Sequence, residues 1–339
     1  MSEERDWSNL PPELIFLISR KLADLSDFIR FHAVWKTWLS SVPFSDHPPQ
    51  IPWLLEYDAD FSVKACMKEE LHFYSLTSHG TKTKSIPIKE SHHNKKYNRN
   101  AHGYLLVEDG NELSLLNPLT DKEISIPAVQ SDSKIEWPIF MASNPIENLY
   151  TLFNHKLQKY NLGVYHPDKM EFTYVDSDFC CACYWNSMLL TTQRSCCTQM
   201  YDAISGKMLY EIPTPKNEDK VARTYLIVSC GVIFRVSLIF PPCVTIFRIY
   251  KLNFDGGKGE PCWVEVRNIG DQIFFLDSWS GFSVRAVAGL KENCIYFILT
   301  ELGKFHPHNV LLRYDIATSK AERVPCPLER FMWFIPKLC

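Results

Sequence analysis

An α+β multidomain chain is what the sequence predicts: a small three-helix unit first, then a much larger all-β unit. Three observations carry this. Residues 10–39 place apolar side chains at helical spacing. The composition changes abruptly after Pro43, where FSDHPPQIP holds three prolines. Beyond that stretch short runs of Val, Ile, Tyr and Phe recur between turn residues, in similar order each time. The boundaries expected are 5–43 for the helical unit, 44–52 for a semi-rigid linker and 53–339 for the β unit.

The helical unit opens at Pro11-Pro12, which suit a first turn because proline fixes φ and lacks only a donor that would be orphaned there anyway. Leu14, Ile15, Ile18 and Leu22 follow at helical spacing and read as one apolar stripe. Ser26 is the expected N-cap of a second segment holding Phe28, Ile29 and Phe31, with Asp27 favouring its positive start. A third segment holds Val34, Trp35 and Trp38 and stops at Pro43. Of the 30 residues from Leu10 to Leu39, 17 are apolar. A unit this small seldom buries enough surface to close its own core. It therefore packs on the rest of the chain or is completed by another protein, and the pattern favours the second.

The order Leu10-Pro11-x-Glu13-Leu14-Ile15, then Leu22, then Asp27-Phe28-x-Arg30, then Val34-x-Lys36-x-Trp38 resembles the F-box. That is the adaptor-binding module of cullin-RING ubiquitin ligases. The resemblance implies that Leu10, Pro11, Leu14, Ile15, Ile18, Leu22, Val34 and Trp38 face a Skp-type adaptor or the small core behind that face. Two positions depart from the family: Trp35 stands where a small residue, often Cys, is usual, and Leu39 replaces a frequent Arg.

The β unit is built from hairpin-like repeats. LHFYSLTSHGTKTKSIP, LSLLNPLTDKEISIP, QMYDAISGKMLYEIP and LLRYDIATSKAERVP each run strand, polar turn, strand, then Pro. Weaker copies occupy residues 159–175 and 247–266, and a further strand lies upstream of most copies. The repeats close near residues 87, 127, 175, 213, 266 and 325, spacings close to those of propeller blades. Radial stacking buries both faces of such small sheets, so a β-propeller of six blades is expected, with a sandwich or barrel as the alternative. Residues 51–57 or 331–335 are candidates to complete a blade where the ends meet. Gly103, Asn117-Pro118, Thr120 and Pro127, with Gly289-Leu290-Lys291 and Asn293–Phe297, resemble the kelch-related propeller of unknown function found behind F-boxes in plants. The two resemblances together imply the substrate receptor of an SCF-type E3 ubiquitin ligase, a non-catalytic subunit. The rival expectation is a propeller interaction module whose F-box no longer engages a ligase.

Other chemistries lack their patterns. The net charge of −3 gives no basic field for nucleic acid. The opening MSEERDW is acidic and polar, so no secretory leader is expected, and the twelve cysteines then read as reduced thiols in cytoplasm or nucleus. Tyr225–Phe247 is apolar, but Arg235, Gly231 and Pro241-Pro242 interrupt it, so buried strands are expected rather than a membrane span. Cys180-x-x-Cys183 has a zinc-like first spacing, but Cys196 and Cys197 are adjacent and cannot supply the second. His92-His93 and His306-Pro-His308 lie in polar stretches, and Gly256-Gly257-Lys258-Gly259 lacks the spacing of a phosphate loop. No metal or cofactor is expected. Asp109, Asp202 and Asp315 are carboxylates to weigh as catalytic, and the latter two read as turn residues. Trp137, Trp279 and Arg194 are candidate target contacts on the propeller.

Overall fold

The computed structural model describes residues 7–22, 25–43, 51–57, 63–64, 70–76, 82–89, 96–101, 103–110, 112–126, 139–142, 150–156, 159–166, 171–176, 179–193, 197–216, 218, 221–239, 246–254, 260–278, 280–287, 289–302 and 307–336. Trp137, Trp279, Arg194, His92, His93, His306, Cys196 and the Gly256–Gly259 turn lie outside them, as does most of the expected linker.

Three short helices come first: α1 (Pro12–Ser19), α2 (Leu25–His32) and α3 (Lys36–Ser41). Among the described residues from Trp53 onward, all regular structure is strand. The first sheet uses β1 (Trp53–Glu56), while β2 (Val63–Lys64) crosses to the second; β3 (Glu70–Ser75) and β4 (Lys82–Pro87) return to the first. The second sheet continues with β5 (Lys96–Ala101), β6 (Tyr104–Asp109), β7 (Glu112–Asn117) and β8 (Lys122–Ile126). The third is β9 (Ile139–Ala142), β10 (Tyr150–Lys156), β11 (Lys159–His166) and β12 (Glu171–Asp176). The fourth is β13 (Phe179–Trp185), β14 (Met188–Gln193), β15 (Thr198–Asp202) and β16 (Met208–Ile212). The fifth is β17 (Val221–Ser229), β18 (Val232–Ile239), β19 (Ile246–Asn253) and β20 (Cys262–Val266). The last holds β21 (Gln272–Leu276), β22 (Gly281–Arg285), β23 (Cys294–Leu302), β24 (Pro307–Asp315) and β25 (Lys320–Arg323). β26 (Phe331–Phe334) returns to the first sheet, giving the order β26-β1-β3-β4.

Both candidate closing segments are thus used at once. Trp53 pairs with Phe334 and Glu56 with Phe331, antiparallel, so the strand after the last sheet locks the first. Trp53, Phe73 and Phe334 pack together behind this seam, with ring centroids 4.8–6.4 Å apart. Asn309 fixes it from the side, donating to the Phe331 carbonyl at 2.7 Å and to the Tyr57 hydroxyl at 3.1 Å. The repeats quoted from the sequence become the outer hairpin of each sheet, for example β15–β16 and β24–β25.

The α+β class and the six-blade count are both corrected. Among the described residues, three short α-helices against twenty-six strands make the main fold an all-β propeller. Each repeat does form a hydrogen-bonded sheet, but a blade is a sheet packed face to face on its neighbours. Described side-chain packing joins five of them. The fourth and fifth sheets share Cys181, Leu190, Met200, Leu226 and Ile233, and the Trp185 indole donates to the Gly231 carbonyl at 2.9 Å. The fifth and last share Ile227, Val236, Phe274 and Ile295, with Tyr225 Oη donating to the Asp277 carbonyl at 2.9 Å. The last and first share Leu54, Phe275 and Trp333, whose indole donates to the Leu276 carbonyl at 2.8 Å. The first and second share Phe73, Tyr97, Leu105 and Phe334. The third sheet lies with β9 beside β5. The structure supports a five-blade propeller, and a six-blade ring is not supported. Counting repeats counts ladders, not the packing that turns a ladder into a blade.

Inner strands approach closely at Gly281, where an added Cβ would stand 2.6 Å from Leu276 Cδ2 and 3.2 Å from Ile227. Gly281→Val therefore overpacks the seam between two blades and is expected to cost about 1–3 kcal/mol in chemical denaturation. A wild-type midpoint would show that the seam yields.

The apolar stretch Tyr225–Phe247 supplies most of β17, all of β18 and the start of β19 in one sheet. Among the described residues no helix is long and apolar enough to cross a membrane.

Candidate functional site

The helical unit has a core of its own. Pro11 stands before α1 with φ −56° and ψ 139°, and its carbonyl accepts from Leu14 and Ile15 at 3.0 and 3.1 Å. Glu13 complements the positive end of that helix. α2 starts at Leu25, one residue ahead of the expected Ser26 cap; Asp27 lies in its first turn, with Arg30 and His32 in its last. Trp35 is extended (φ −146°, ψ 148°), and its carbonyl accepts from Trp38 and Leu39, so α3 begins two residues later than Val34. Ile15, Phe28, Phe31 and Val42 are buried together, with Leu10, Leu22 and Trp38 against them. Phe31 and Trp38 sit 4.7 Å apart, and the Trp38 indole donates to the Trp7 carbonyl at 3.3 Å. His32 packs on Phe28 at 4.3 Å, and burial pulls its pKa below the usual value. Among the described residues this core is therefore made within the segment from Leu10 to Val42 alone.

It leaves a ledge. Leu14, Leu17 and Ile18 are 46%, 58% and 39% exposed, while Ile15 and Ser19 on the other side of α1 are buried. Val34 and Trp35, just ahead of α3, and Leu39 on α3 are about half exposed as well. Among the described residues, nine of the fifteen exposed large apolar side chains fall between Trp7 and Leu39. That share far exceeds what scattered surface residues give, and such concentrations mark interaction surfaces.

The single stripe expected from Leu14, Ile15, Ile18 and Leu22 is two stripes. Adjacent helical residues point about 100° apart, so Leu14 and Ile18 face solvent while Ile15 and Leu22 face the core. Of the eight residues singled out by sequence, Ile15, Leu10, Leu22 and Trp38 hold the core; Leu14, Ile18, Val34 and Pro11 are exposed. Leu17, Trp35 and Leu39 were missed as surface members. Leu17 was findable, being three residues after Leu14 and one before Ile18.

The propeller's polar groups serve the fold where the structure describes them. Asp202 Oδ1 accepts from the Ser205 amide and hydroxyl at 2.7 and 2.6 Å, which holds its carboxyl below the usual range. Asp315 pairs with Lys291 and accepts from the Thr318 amide at 2.9 Å, and its carboxyl is held down at about 2. Both are turn carboxylates. Asp109 lies opposite Glu112 across the tight β6–β7 turn. The lowered Asp315 value means that its stabilisation is complete above the unfolded value of 3.8 and lost as pH falls towards about 2. The destabilisation caused by Asp315→Asn is accordingly expected to be largest at pH 5 and above, and to shrink between about pH 4 and pH 2. Urea titrations of both proteins across that range read it; a pH-independent difference would refute the pairing.

Burial pushes Cys183 up to about 12 and Cys181 well above its usual value, while a hydrogen bond from Cys181 lowers Cys180. Among the described residues no group of three or more His, Cys, Asp or Glu is placed to hold a metal ion, and the eight described cysteines form no disulfide.

Helices with an uncovered apolar ledge, followed by a β-propeller whose first sheet takes its last strand from the C-terminal end, define the class of an F-box/β-propeller protein. Comparison supports the plant kind. A putative F-box protein of Arabidopsis thaliana is 22% identical over 97% of this chain and 93% of its own length. F-box only protein 7 of the same plant is 22% identical over 99% and 95%. Residues 73–316 match the KIB1-4 beta-propeller, and the chain belongs to that family. The match does not extend to the kelch relation expected from the sequence blocks. In those blocks Gly289 and Asn293 take positive φ of 92° and 53°, and Asn117 Oδ1 accepts from the Leu119 amide at 2.9 Å. Their residue types answer to turn geometry, which many β proteins share. Among solved structures, the N-terminal domain of Nup159 is similar at a TM-score of 0.38 and 11% identity, covering 80% of this chain and 74% of that one.

Proposed function

We propose that the chain is the substrate-recognition subunit of an SCF-type cullin-RING ubiquitin ligase. The observation that supports this most is the uncovered ledge of Leu14, Leu17, Ile18, Val34, Trp35 and Leu39 over a core made within the segment from Leu10 to Val42. Leaving the exposed half of those side chains in water forgoes roughly 1 kcal/mol each, about half of a full side-chain burial. A Skp-type adaptor that lays its own apolar helices on them recovers that free energy, a helix-in-groove mode. In this reading Leu14, Ile18, Val34 and Pro11 touch the adaptor, and Ile15, Leu10, Leu22 and Trp38 hold the face in shape. Residues 5–43 are the F-box, 44–52 the linker and 53–339 the receptor domain, acting in cytoplasm or nucleus.

The propeller then presents a protein target, and transfer is accelerated by holding a target lysine near the charged conjugating enzyme. No residue of this chain enters the chemistry. The test is reconstitution: purified full-length chain mixed with a purified plant Skp-type adaptor and followed by size-exclusion chromatography. Co-elution as a stoichiometric complex is expected. Separate elution at micromolar concentrations would overturn the reading.

A further inference from the structure

Among the described residues after Leu39, four of the six exposed large apolar side chains fall in one short stretch: Ile204, Met208, Leu209 and Tyr210. Met208, Leu209 and Tyr210 lie on β16 and Ile204 just before it; among the described residues β16 is the last strand of its sheet and pairs with β15 alone. Natural edge strands are normally guarded by charge. Here β25 reads Lys-Ala-Glu-Arg and β4 carries Lys82 and Lys84, whereas β16 exposes three consecutive large apolar side chains. Leu209 is an extra residue in the ladder, between Tyr210 opposite Met200 and Met208 opposite Tyr201.

The charges flanking this patch select its occupant. Lys207 precedes it and Glu211 follows it, both exposed. The stretch Lys207-Met208-Leu209-Tyr210-Glu211 is self-complementary when run antiparallel to itself. With a two-fold axis at Leu209, Lys207 stands opposite the partner's Glu211, and Met208 opposite the partner's Tyr210. An isologous contact repeats each such pair twice, and opposite charges across strands stabilise the pairing while like charges oppose it. We propose that β16 is a self-association edge through which two copies of this chain pair as a weak, reversible dimer.

Sedimentation velocity on the full chain over a wide concentration range tests this. Wild type is expected to move from monomer to a saturating dimer, including in the Leu14→Asp/Ile18→Asp background, which keeps this result separate from the adaptor reading. Lys207→Glu alone and Glu211→Lys alone each set like charges opposite one another and should weaken self-association about tenfold. Mixing those two variants restores both opposite-charge pairs and should restore the dimer as a heterodimer. Leu209→Asp should leave a monomer with an unchanged circular dichroism spectrum. A wild type that stays monomeric, that aggregates without saturating, or whose dimer ignores both charge variants and their mixture would overturn the proposal.

Discussion

Leu14→Asp combined with Ile18→Asp is expected to abolish capture of a Skp-type adaptor while the propeller melts as in wild type. Both side chains are solvent-exposed over about two-fifths of their surface in the free chain and lie outside the buried core, so charging them costs the unbound fold little. In the complex each loses roughly 0.6–1.5 kcal/mol of further burial, the exposed share of a full side-chain burial, and the new carboxylates are set against apolar surface at a larger cost. Together that weakens adaptor binding by roughly a hundredfold or more. Ile15→Asp is the informative contrast. Ile15 is fully buried against Phe28, Phe31 and Val42, so this variant should also lose adaptor, but by unfolding the helices, with a visible drop in helical signal. Pull-down and circular dichroism on the same preparations separate the two outcomes. Wild-type capture by the double variant would move the docking face elsewhere.

The second large effect lies between two blades. Arg235, in the middle of β18, is fully buried, as is its partner Glu218. The guanidinium Nε donates to Glu218 Oε2 at 3.1 Å, and one terminal nitrogen reaches Thr198 Oγ1 on the neighbouring sheet at 3.3 Å. Ser237 donates to the other carboxylate oxygen. Glu218→Ala strips the counter-ion from a buried cation, and breaking such a pair typically costs about 3–5 kcal/mol. A melting midpoint several degrees below wild type is expected. Replacing both partners by apolar residues, Glu218→Leu with Arg235→Met, should recover most of that loss, because no charge is then left unpaired. Equal losses in the single and double variants would mean that packing, not charge, holds the seam.

These two sites differ in how far the sequence revealed them. The helical unit was legible because its apolar spacing and proline start are local features, and local features survive without tertiary context. Its split into core and ledge was less so: Leu14 and Ile15 are neighbours in sequence, and only the packing of α3 on α1 and α2 decides which turns inward. Trp35 illustrates the same point. Its size departs from the family pattern, yet the structure accommodates it by leaving it at the surface ahead of α3.

In the propeller, the hairpins were readable from their turns, but the closure was not. β1 and β26 are each only four residues long and find each other across nearly the whole chain. Arg235 was visible as an oddity in an apolar stretch, while Glu218 lay in a polar segment with no pattern to link them. The last sheet also breaks hairpin order, since β21 pairs β23 in parallel while β22 lies on its other side. Blade number depends on packing between sheets, which periodicity alone does not encode.

Hydrogen–deuterium exchange of the full chain, with and without a purified Skp-type adaptor, tests the central claim most directly. The account predicts slowed exchange on adaptor addition in the segments carrying Leu14–Ile18 and Val34–Leu39, with the propeller strands unchanged. Unchanged exchange in the helices at saturating adaptor, or slowing confined to the propeller, would contradict it.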